Sequence, residues 1–372
     1  MRHRTCARGN SPYAGPIGAY IPGMSSGILA EAYQRLHHAG PEWDDNSLTN
    51  HGPMTVEVLV RRGREADVHP WVDAYLPRLD DLPAATDPIT DDTWREAMGD
   101  GDRVADWTAY LTRQTAERPW RDVLAQWWSR LLPAIAAGTT HGVIRTSHAV
   151  RALLAGGDDP DTVVELAHGL AFWAARARYV PGVEAPAGSL DAGAAFDALP
   201  RIGNQRGNVA SRFAQLASLP AWPKSLMALR APADPDDARD RLADLVDAAT
   251  VGYLGHGHTS PVILVHTATA PNAVLHTLPA LPRELWADSL TAAWAACAAI
   301  TCAFAPGRTA PRDQLPTAPV GDDPATEMVD RAVAHGDEHV IKFTDTATES
   351  YARTGDPDTL AASRRAGDLI GR

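Results

Sequence analysis

Cysteine is scarce in this chain. Only Cys6, Cys297 and Cys302 occur among 372 residues. An odd and sparse set at these spacings matches neither a disulfide framework nor a pattern of zinc ligands. We therefore predict that Cys297 and Cys302 are small core residues.

Positive charge is also in short supply, since the formal net charge is -12. Proteins that bind phosphate backbones draw their affinity from clustered Lys and Arg side chains, and no basic stripe is present. The composition thus argues against a nucleic-acid partner.

Long apolar runs are missing as well. The basic start, MRHRTCARGNSPYAGP, is not followed by an apolar stretch of signal-peptide length, and we expect no later segment to reach transmembrane length. Hydrophobic residues make up 45% and charged residues 22% of the chain, as in an ordinary globular protein. We expect a cytoplasmic protein without a membrane partner.

Alternating strand patterns are almost absent, apart from the run from Val262 to Val265. Even there, Ser260 can cap a helix and Pro261 fits its first turn, whereas Pro271 should bend or end that helix. Windows with helical spacing recur instead along most of the chain. They cover 26–38, 53–63, 68–80, 91–98, 103–115, 120–137, 140–155, 161–176, 236–254, 260–276, 283–304, 325–335 and 337–353.

This pattern predicts an all-α fold, a compact multi-helix array. We also expect a buried metal site between the helices, which requires the fold to bring together histidines from separate helices; their spacing does not demonstrate this. Residues 1–24, which are rich in Gly, Pro and Ser, are expected to form an N-terminal tail, and 25–372 a single helical domain. Three further Pro/Gly/Asp-rich stretches, at 180–205, 219–235 and 305–325, could be lids, connecting loops or plain surface.

Fourteen histidines are many for this length, and several lie inside apolar helical windows. His51 follows the capping residues Thr49 and Asn50 at a helix start. His141 and His148 share one helix face, but two turns separate them by about 10 Å, so at most one binds a given metal. A cap or packing role for His51 is the simpler alternative.

His266 follows four apolar residues and should be buried, where it needs a hydrogen-bond partner or a metal. His339 and Lys342 share a helix face at i and i+3. Burial would lower the pKa of Lys342, making its neutral amine available as a nucleophile or for carboxylation by CO₂. The alternatives are a satisfied core histidine at 266 and a lysine that reaches the surface, pairing with Asp345 or Glu338.

Four segments in order, NHGPM, THGVIRTSHAVRAL, HTATAPNAV followed by LPALP, and DEHVIKF, resemble the questin oxidase-like family. The resemblance implies an all-α oxygenase that acts on anthraquinone-type polyketides by ring cleavage or Baeyer–Villiger-like oxygen insertion. It implies iron held by histidines and a carboxylated lysine, which would fall on His51, His141, His266, His339 and Lys342.

The chain departs from fungal members beside His141, where Arg145 and His148 replace a second histidine and a tyrosine. The contacts that these two positions would make to substrate or ligands therefore do not follow from the family pattern. The candidate catalytic residues are Lys342, His148 and Arg145.

The expected cofactors are Fe(2+) and O₂, with NADPH only as an external reductant. No GxGxxG motif follows a strand, and the glycines of VGYLGHGHTS lack one. The expected partner is a small aromatic polyketide in an apolar pocket, and helix 283–304 could serve a homodimer as easily as the core. Candidate lining residues are Trp127, Trp128, Phe172, Trp173 and Tyr253.

Two other functions stay open at this point. Histidines with a carboxylated lysine also suit a metal-dependent hydrolase. A non-catalytic protein that binds a hydrophobic ligand would use the histidines structurally and leave Lys342 solvated.

Overall fold

The structure, a computed structural model, describes residues 24–42, 49–156 and 158–371. These residues are mostly helical, which confirms the all-α prediction. The proposed tail, apart from residue 24, and Cys6 lie outside them. The helices are α1 Met24–His37, α2 Gly52–Arg61, α3 Glu65–Tyr75, α4 Val104–Glu117, α5 Trp120–Leu131, α6 His141–Gly156, α7 Pro160–Ala175, α8 Ala192–Asp197, α9 Val209–Ala214, α10 Trp222–Met227, α11 Pro235–His256, α12 Pro261–Leu264, α13 His266–Thr277, α14 Trp286–Phe304, α15 Pro324–His335, α16 Glu338–Thr354 and α17 Pro357–Leu369.

Two short strands, β1 Ala39–Glu42 and β2 Leu79–Asp81, pair antiparallel. The sequence patterns did not predict them, because three or four residues are too few to show an alternation.

Several helix starts follow directly from the sequence. An Asp-Pro pair begins α7, α11, α15 and α17, with Asp accepting a backbone N–H of the first turn and Pro occupying a position whose N–H would be free. Local sequence therefore sets where these helices begin.

Pro271 was predicted to bend or end its helix, and the helix does not end there. α13 runs through to Thr277. The missing N–H of Pro271 would leave the carbonyl of Thr267 without its helical partner, and the Cys297 thiol donates to that oxygen over 3.1 Å. Cys297 and Cys302 are buried and free, as predicted for core residues.

The predicted helix at 91–98 is also wrong, since the segment forms consecutive turns. Its backbone bonds include Thr93 N to Thr90 O and Glu96 N to Thr93 O, which span three residues rather than four. Helices α8, α9, α10 and α17 were not among the predicted windows. α8 and α10 lie in two of the proline-rich stretches, where six-residue helices leave little periodic signal.

Among the described residues, one segment, Arg283–Phe304, is long and apolar enough by composition to cross a membrane, so the expectation that no segment reaches that length was wrong. However, 83% of its apolar window is buried inside the protein. It contains α14, which packs on α11 and α13. A core helix passes the same test of length and hydropathy, so this is weak support for a membrane span.

Four helices enclose the part of the fold that matters below. α2 packs on α6, α6 on α13, α13 on α16, and α16 on α2, so that they close a ring. Helix α7 covers α6 from outside, and α11 covers both α13 and α16. The ring is thereby shielded from solvent.

Candidate metal centre

Four histidines lie at the N-terminal ends of the four ring helices. His51 is the N-cap of α2, His141 and His266 are the first residues of α6 and α13, and His339 is the second residue of α16. All four are buried. The ring thus brings together residues that are up to 288 positions apart.

His141 lies in the middle of the group. Its Nε2 is 2.9 Å from Nε2 of His51 and 3.2 Å from Nε2 of His266. The donor nitrogens of His51, His141 and His339 all lie within 4.8 Å of one another. The ring centroid of His266 is 4.5 Å from that of His141 and 5.5 Å from that of His339. We call these four residues the histidine cluster.

The second ring nitrogen of three members is held by an acceptor. Nδ1 of His51 is 2.7 Å from Oε1 of Glu42, Nδ1 of His141 is 2.5 Å from the carbonyl of Gly138, and Nδ1 of His266 is 3.0 Å from the carbonyl of Val262. A carbonyl oxygen or a carboxylate only accepts, so each Nδ1 must carry the hydrogen. Each Nε2 then presents a lone pair to the middle of the cluster.

Lone pairs that face one another across 2.9 and 3.2 Å repel unless a proton or another cation lies between them. A proton is disfavoured here because burial and the neighbouring His266 and His51 hold the pKa of His141 well below its usual value. Histidines that bind metals typically donate the other ring N–H to a carboxylate or a carbonyl, as these three do. The geometry and the donor set fit a divalent metal ion.

His266 and His339 also stay neutral. Burial, followed by the Lys342 charge, lowers the pKa of His266 to about 3, and the same two causes hold that of His339 well below normal. The N-termini of helices carry partial positive charge, which further disfavours a protonated imidazole. Neutral imidazoles are the form that binds metals.

Lys342 is buried rather than solvated, so the snorkelling alternative is wrong. Among the described residues, its ammonium has a hydrogen-bond partner only in the thioether of Met54, at 3.9 Å. Burial lowers its pKa to about 8, against the opposing effects of Glu338, Asp337 and Glu42. A bound cation would lower this pKa further and leave a neutral amine.

Sequence patterns missed the carboxylates behind His51. Glu42 accepts hydrogen bonds from His51 and from the hydroxyl of Tyr75, both over 2.7 Å, and Arg78 donates to both Glu42 and Glu338 over 3.1 Å. The pKa of Glu42 is lowered to about 2, because these hydrogen bonds outweigh the effect of burial. Glu338 directly precedes His339, so its place near the cluster could have been predicted from the sequence. No sequence feature around Glu42 predicts that it lies near His51.

The turn before His141 is strained. Gly138, Thr139 and Thr140 have φ of 52°, 56° and 71°, in the left-handed region that β-branched threonine rarely adopts. The turn aims the Gly138 carbonyl at His141. In addition, the hydroxyls of Thr140 and Thr49 are buried without a hydrogen-bond partner among the described residues. Orphaned hydroxyls beside two of the four histidines are consistent with a bound group in their vicinity.

Gly142, which follows His141, allows a close approach that any side chain would prevent. A Cβ there would lie 2.7 Å from Cγ and 2.9 Å from Cα of Trp173. The glycine after His141 thus indicates, in the sequence itself, that another element packs closely against this helix start.

The proposed catalytic residues Arg145 and His148 contact other groups. Arg145 donates to both carboxylate oxygens of Glu165, over 2.6 and 2.9 Å. His148 lies 2.7 Å from Glu57. Their catalytic role stays a prediction, although His148 and Lys342 line the same small cavity. This polar cavity is bounded by Ser147, His148, Arg151, Thr269, Asn272, Ala273, His276, Lys342, Asp345 and Thr346.

The aromatic residues proposed for a substrate pocket are buried. Trp127, Trp128, Trp173 and Tyr253 belong to the main hydrophobic core. Phe172 lies instead against the strained turn, where its ring would be 2.8 Å from a Cβ on Gly138.

Comparisons with known proteins add no identity to this geometry. No protein-family model matches the chain, and no curated protein matches it. The questin oxidase-like resemblance stays a prediction.

Proposed function

We propose that this protein is a metal-dependent oxygenase whose non-heme iron is held by His51, His141, His266 and His339. One observation carries the metal site: three Nε2 atoms face one another while each Nδ1 is held by an acceptor. This is a buried arrangement of neutral bases that a cation would stabilise.

The choice of iron rests on the donor types and on the resemblance. Imidazoles suit iron, copper, zinc and nickel, and an additional oxygen donor favours non-heme iron. Lys342, which is buried beside the cluster, would supply a fifth donor as a neutral amine or, after carboxylation, an oxygen. Iron in such a site would supply O₂ activation when bound.

The protein's own residues would hold and shield this centre. Glu42 and the Gly138 carbonyl orient two imidazoles, while the ring helices exclude bulk water. The aromatic polyketide substrate, with ring cleavage or Baeyer–Villiger-like oxygen insertion as the reaction, comes from the resemblance alone. NADPH would serve only as an external reductant.

The test is metal analysis of untagged protein by mass spectrometry, followed by oxygen-electrode measurements on the iron-loaded protein with a hydroquinone or anthrone. We expect close to one iron per chain, and oxygen uptake that depends on both iron and substrate. Lys342→Met should keep the fold by circular dichroism and lose most of the uptake. Stoichiometric metal binding without oxygen uptake with any of the aromatic compounds tested would contradict the oxygenase function.

A metal-dependent hydrolase is the second candidate, and the four-imidazole set favours it as well because zinc takes such ligands readily. Zinc as the native metal, with ester or amide hydrolysis and no oxygen uptake, would decide for it. Absence of any metal in freshly purified protein would favour a ligand-binding role instead.

A further inference from the structure

A second small cavity lies between α2, α15 and α16, and Asp345 lines both this cavity and the polar cavity. Four of its lining residues, Val58, Leu59, Ala332 and Ile341, are buried apolar side chains. We call it the apolar cavity; it is bounded by Val58, Leu59, Arg62, Val329, Ala332, Val333, Ile341, Thr344 and Asp345.

The polar groups in this lining are already engaged. Arg62 donates to Asp345 over 2.5 Å and to Thr348 over 2.6 Å, and the hydroxyl of Thr344 shares a 2.7 Å hydrogen bond with Ser363. Asp345 also accepts from Arg61 and Arg151. A buried water needs two to four polar partners, and most polar groups of this lining are already bonded to one another: the Asp345 carboxylate, the Thr344 hydroxyl and two of the three Arg62 nitrogens.

The polar cavity differs in how the polar groups of its lining are paired. There, among the described residues, the side-chain amide oxygen Oδ1 of Asn272 is buried without a partner, and the Lys342 ammonium has only a thioether. Such groups hold water, whereas a cavity with an apolar lining stays dry and takes up small apolar molecules.

Two of the three helices that line the apolar cavity, α2 and α16, also begin at the histidine cluster. Ile341 is next to Lys342 on α16. Val58 is one turn after Met54 on α2, in the same core cluster, and Met54 contacts Lys342. Methionine is flexible and unbranched, so the Met54 side chain can move aside at low cost.

We propose that the apolar cavity is a binding site for dioxygen on its way to the histidine cluster, with Met54 as the movable group between them. Dioxygen is a small apolar molecule, and the cavity has room for about one water-sized molecule. The assignment to dioxygen rests on the proposed oxygenase function, whereas the affinity for a small apolar gas rests on the lining alone.

Xenon is the probe, because it occupies dry apolar cavities and reacts with nothing. We expect ¹²⁹Xe NMR or a xenon-pressurised crystal to place xenon between Val58, Ala332 and Ile341. Ala332→Val, which fills the cavity, should lower xenon occupancy at least several-fold, and Ile341→Val, which enlarges it, should raise occupancy. The matched control is Ala362→Val in α17, which lines neither cavity and should leave occupancy unchanged.

The second readout is the oxygen concentration that gives half-maximal uptake by the iron-loaded protein. We expect it to rise several-fold in Ala332→Val, with kcat at saturating oxygen and the iron content both unchanged. If Ala332→Val does not fold, Ile341→Val tests the proposal alone. We then expect it to bind more xenon than the wild type and to reach half-maximal oxygen uptake at a lower oxygen concentration.

The outcomes separate this inference from the proposed function. Oxygen uptake without xenon in the cavity, or an ordered water there, overturns the apolar site and leaves the oxygenase. Xenon binding with no oxygen uptake overturns both the oxygenase and the assignment to dioxygen, leaving a site for small apolar molecules. Equal half-saturating oxygen concentrations in the wild type and both cavity variants overturn the assignment to dioxygen.

Discussion

The ring helices carry two buried polar regions that differ in how their polar groups are paired. In the histidine cluster, imidazole nitrogens face one another, and among the described residues no carboxylate is hydrogen-bonded to Nε2 of His51, His141 or His266. In a second region along the same helices, every charged side chain contacts a side chain of opposite charge. We call it the ion network; its members are Glu57, Arg61, Arg62, His148, Arg151, Asp345 and Glu349.

Arg151 shows how the ion network is balanced. Its guanidinium donates to Glu57 through Nε over 2.8 Å and to Asp345 through Nη1 over 2.9 Å. Charge pairing lowers the pKa of Glu57 to about 2 despite complete burial. A buried region that is satisfied by its own residues is structural, whereas one that requires a cation indicates a ligand.

The largest effect should come from removing the middle of the histidine cluster. His141→Ala should abolish stoichiometric metal binding, because Nε2 of His141 faces two other members, while circular dichroism stays native. His266→Ala should act similarly. Metal content by mass spectrometry is the measurement, with the exposed His258→Ala as control.

Retention of one metal per chain in both His141→Ala and His266→Ala would contradict the site. His37→Ala, which removes a residue outside the cluster, should keep the metal. It should nevertheless lower stability, because His37 pairs with the buried Glu165 at 3.1 Å and stacks on His168.

The reverse pattern is expected in the ion network. Arg151→Met should reduce the free energy of unfolding by about 3–5 kcal/mol, since it leaves buried carboxylates without their partner. Urea denaturation measures this, and the metal content of the folded fraction should not change. The exposed pair of Arg331 with Glu327 gives the control: Arg331→Met should cost no more than about 0.5 kcal/mol. Equal effects of the two substitutions would mean that the network is not needed for stability.

A smaller effect on the metal should follow from Glu42→Gln. The carboxylate that orients His51 and raises its basicity would become a weaker, neutral acceptor, and metal affinity should fall by about 10–100-fold. Competition with a coloured chelator measures the affinity, and Glu284→Gln at the surface is the matched control. An unchanged affinity would show that Glu42 does not position a ligand.

The smallest effect should be the change in the stability of the metal-free protein with each pH unit. Burial lowers the pKa of His148 to about 4 and that of His168 to about 3, while the unfolded chain takes up these protons near pH 6.5. Below pH 6.5 the unfolded state therefore binds more protons, and stability falls by up to about 1.4 kcal/mol per pH unit for each such histidine.

Urea titrations at pH 7.5, 6.5 and 5.5 measure this slope. A further loss should begin below about pH 4.5, because the pKa values of Glu57 and Glu165 are lowered to about 2 and the unfolded carboxylates take up protons first. Constant stability between pH 7.5 and 5.5 would contradict neutral buried histidines.

The sequence by itself determined the helical class, the Asp-Pro helix starts and the choice of candidate residues. His51 at a helix start, His266 after four apolar residues, and His339 with Lys342 on one helix face each stood in a local pattern that made them candidates, and for His266 that pattern predicted burial. Periodicity reports such features because they depend on neighbours a few residues away.

Only the tertiary structure decided which of these residues meet. His141 and His148 were equivalent by spacing, yet the ring of α2, α6, α13 and α16 brings His141 to His51 and turns His148 to Glu57. Glu42, Arg78 and the dry lining around Ala332 had no local signature at all. Contacts between distant segments depend on how whole helices pack, and no short window of sequence contains that information.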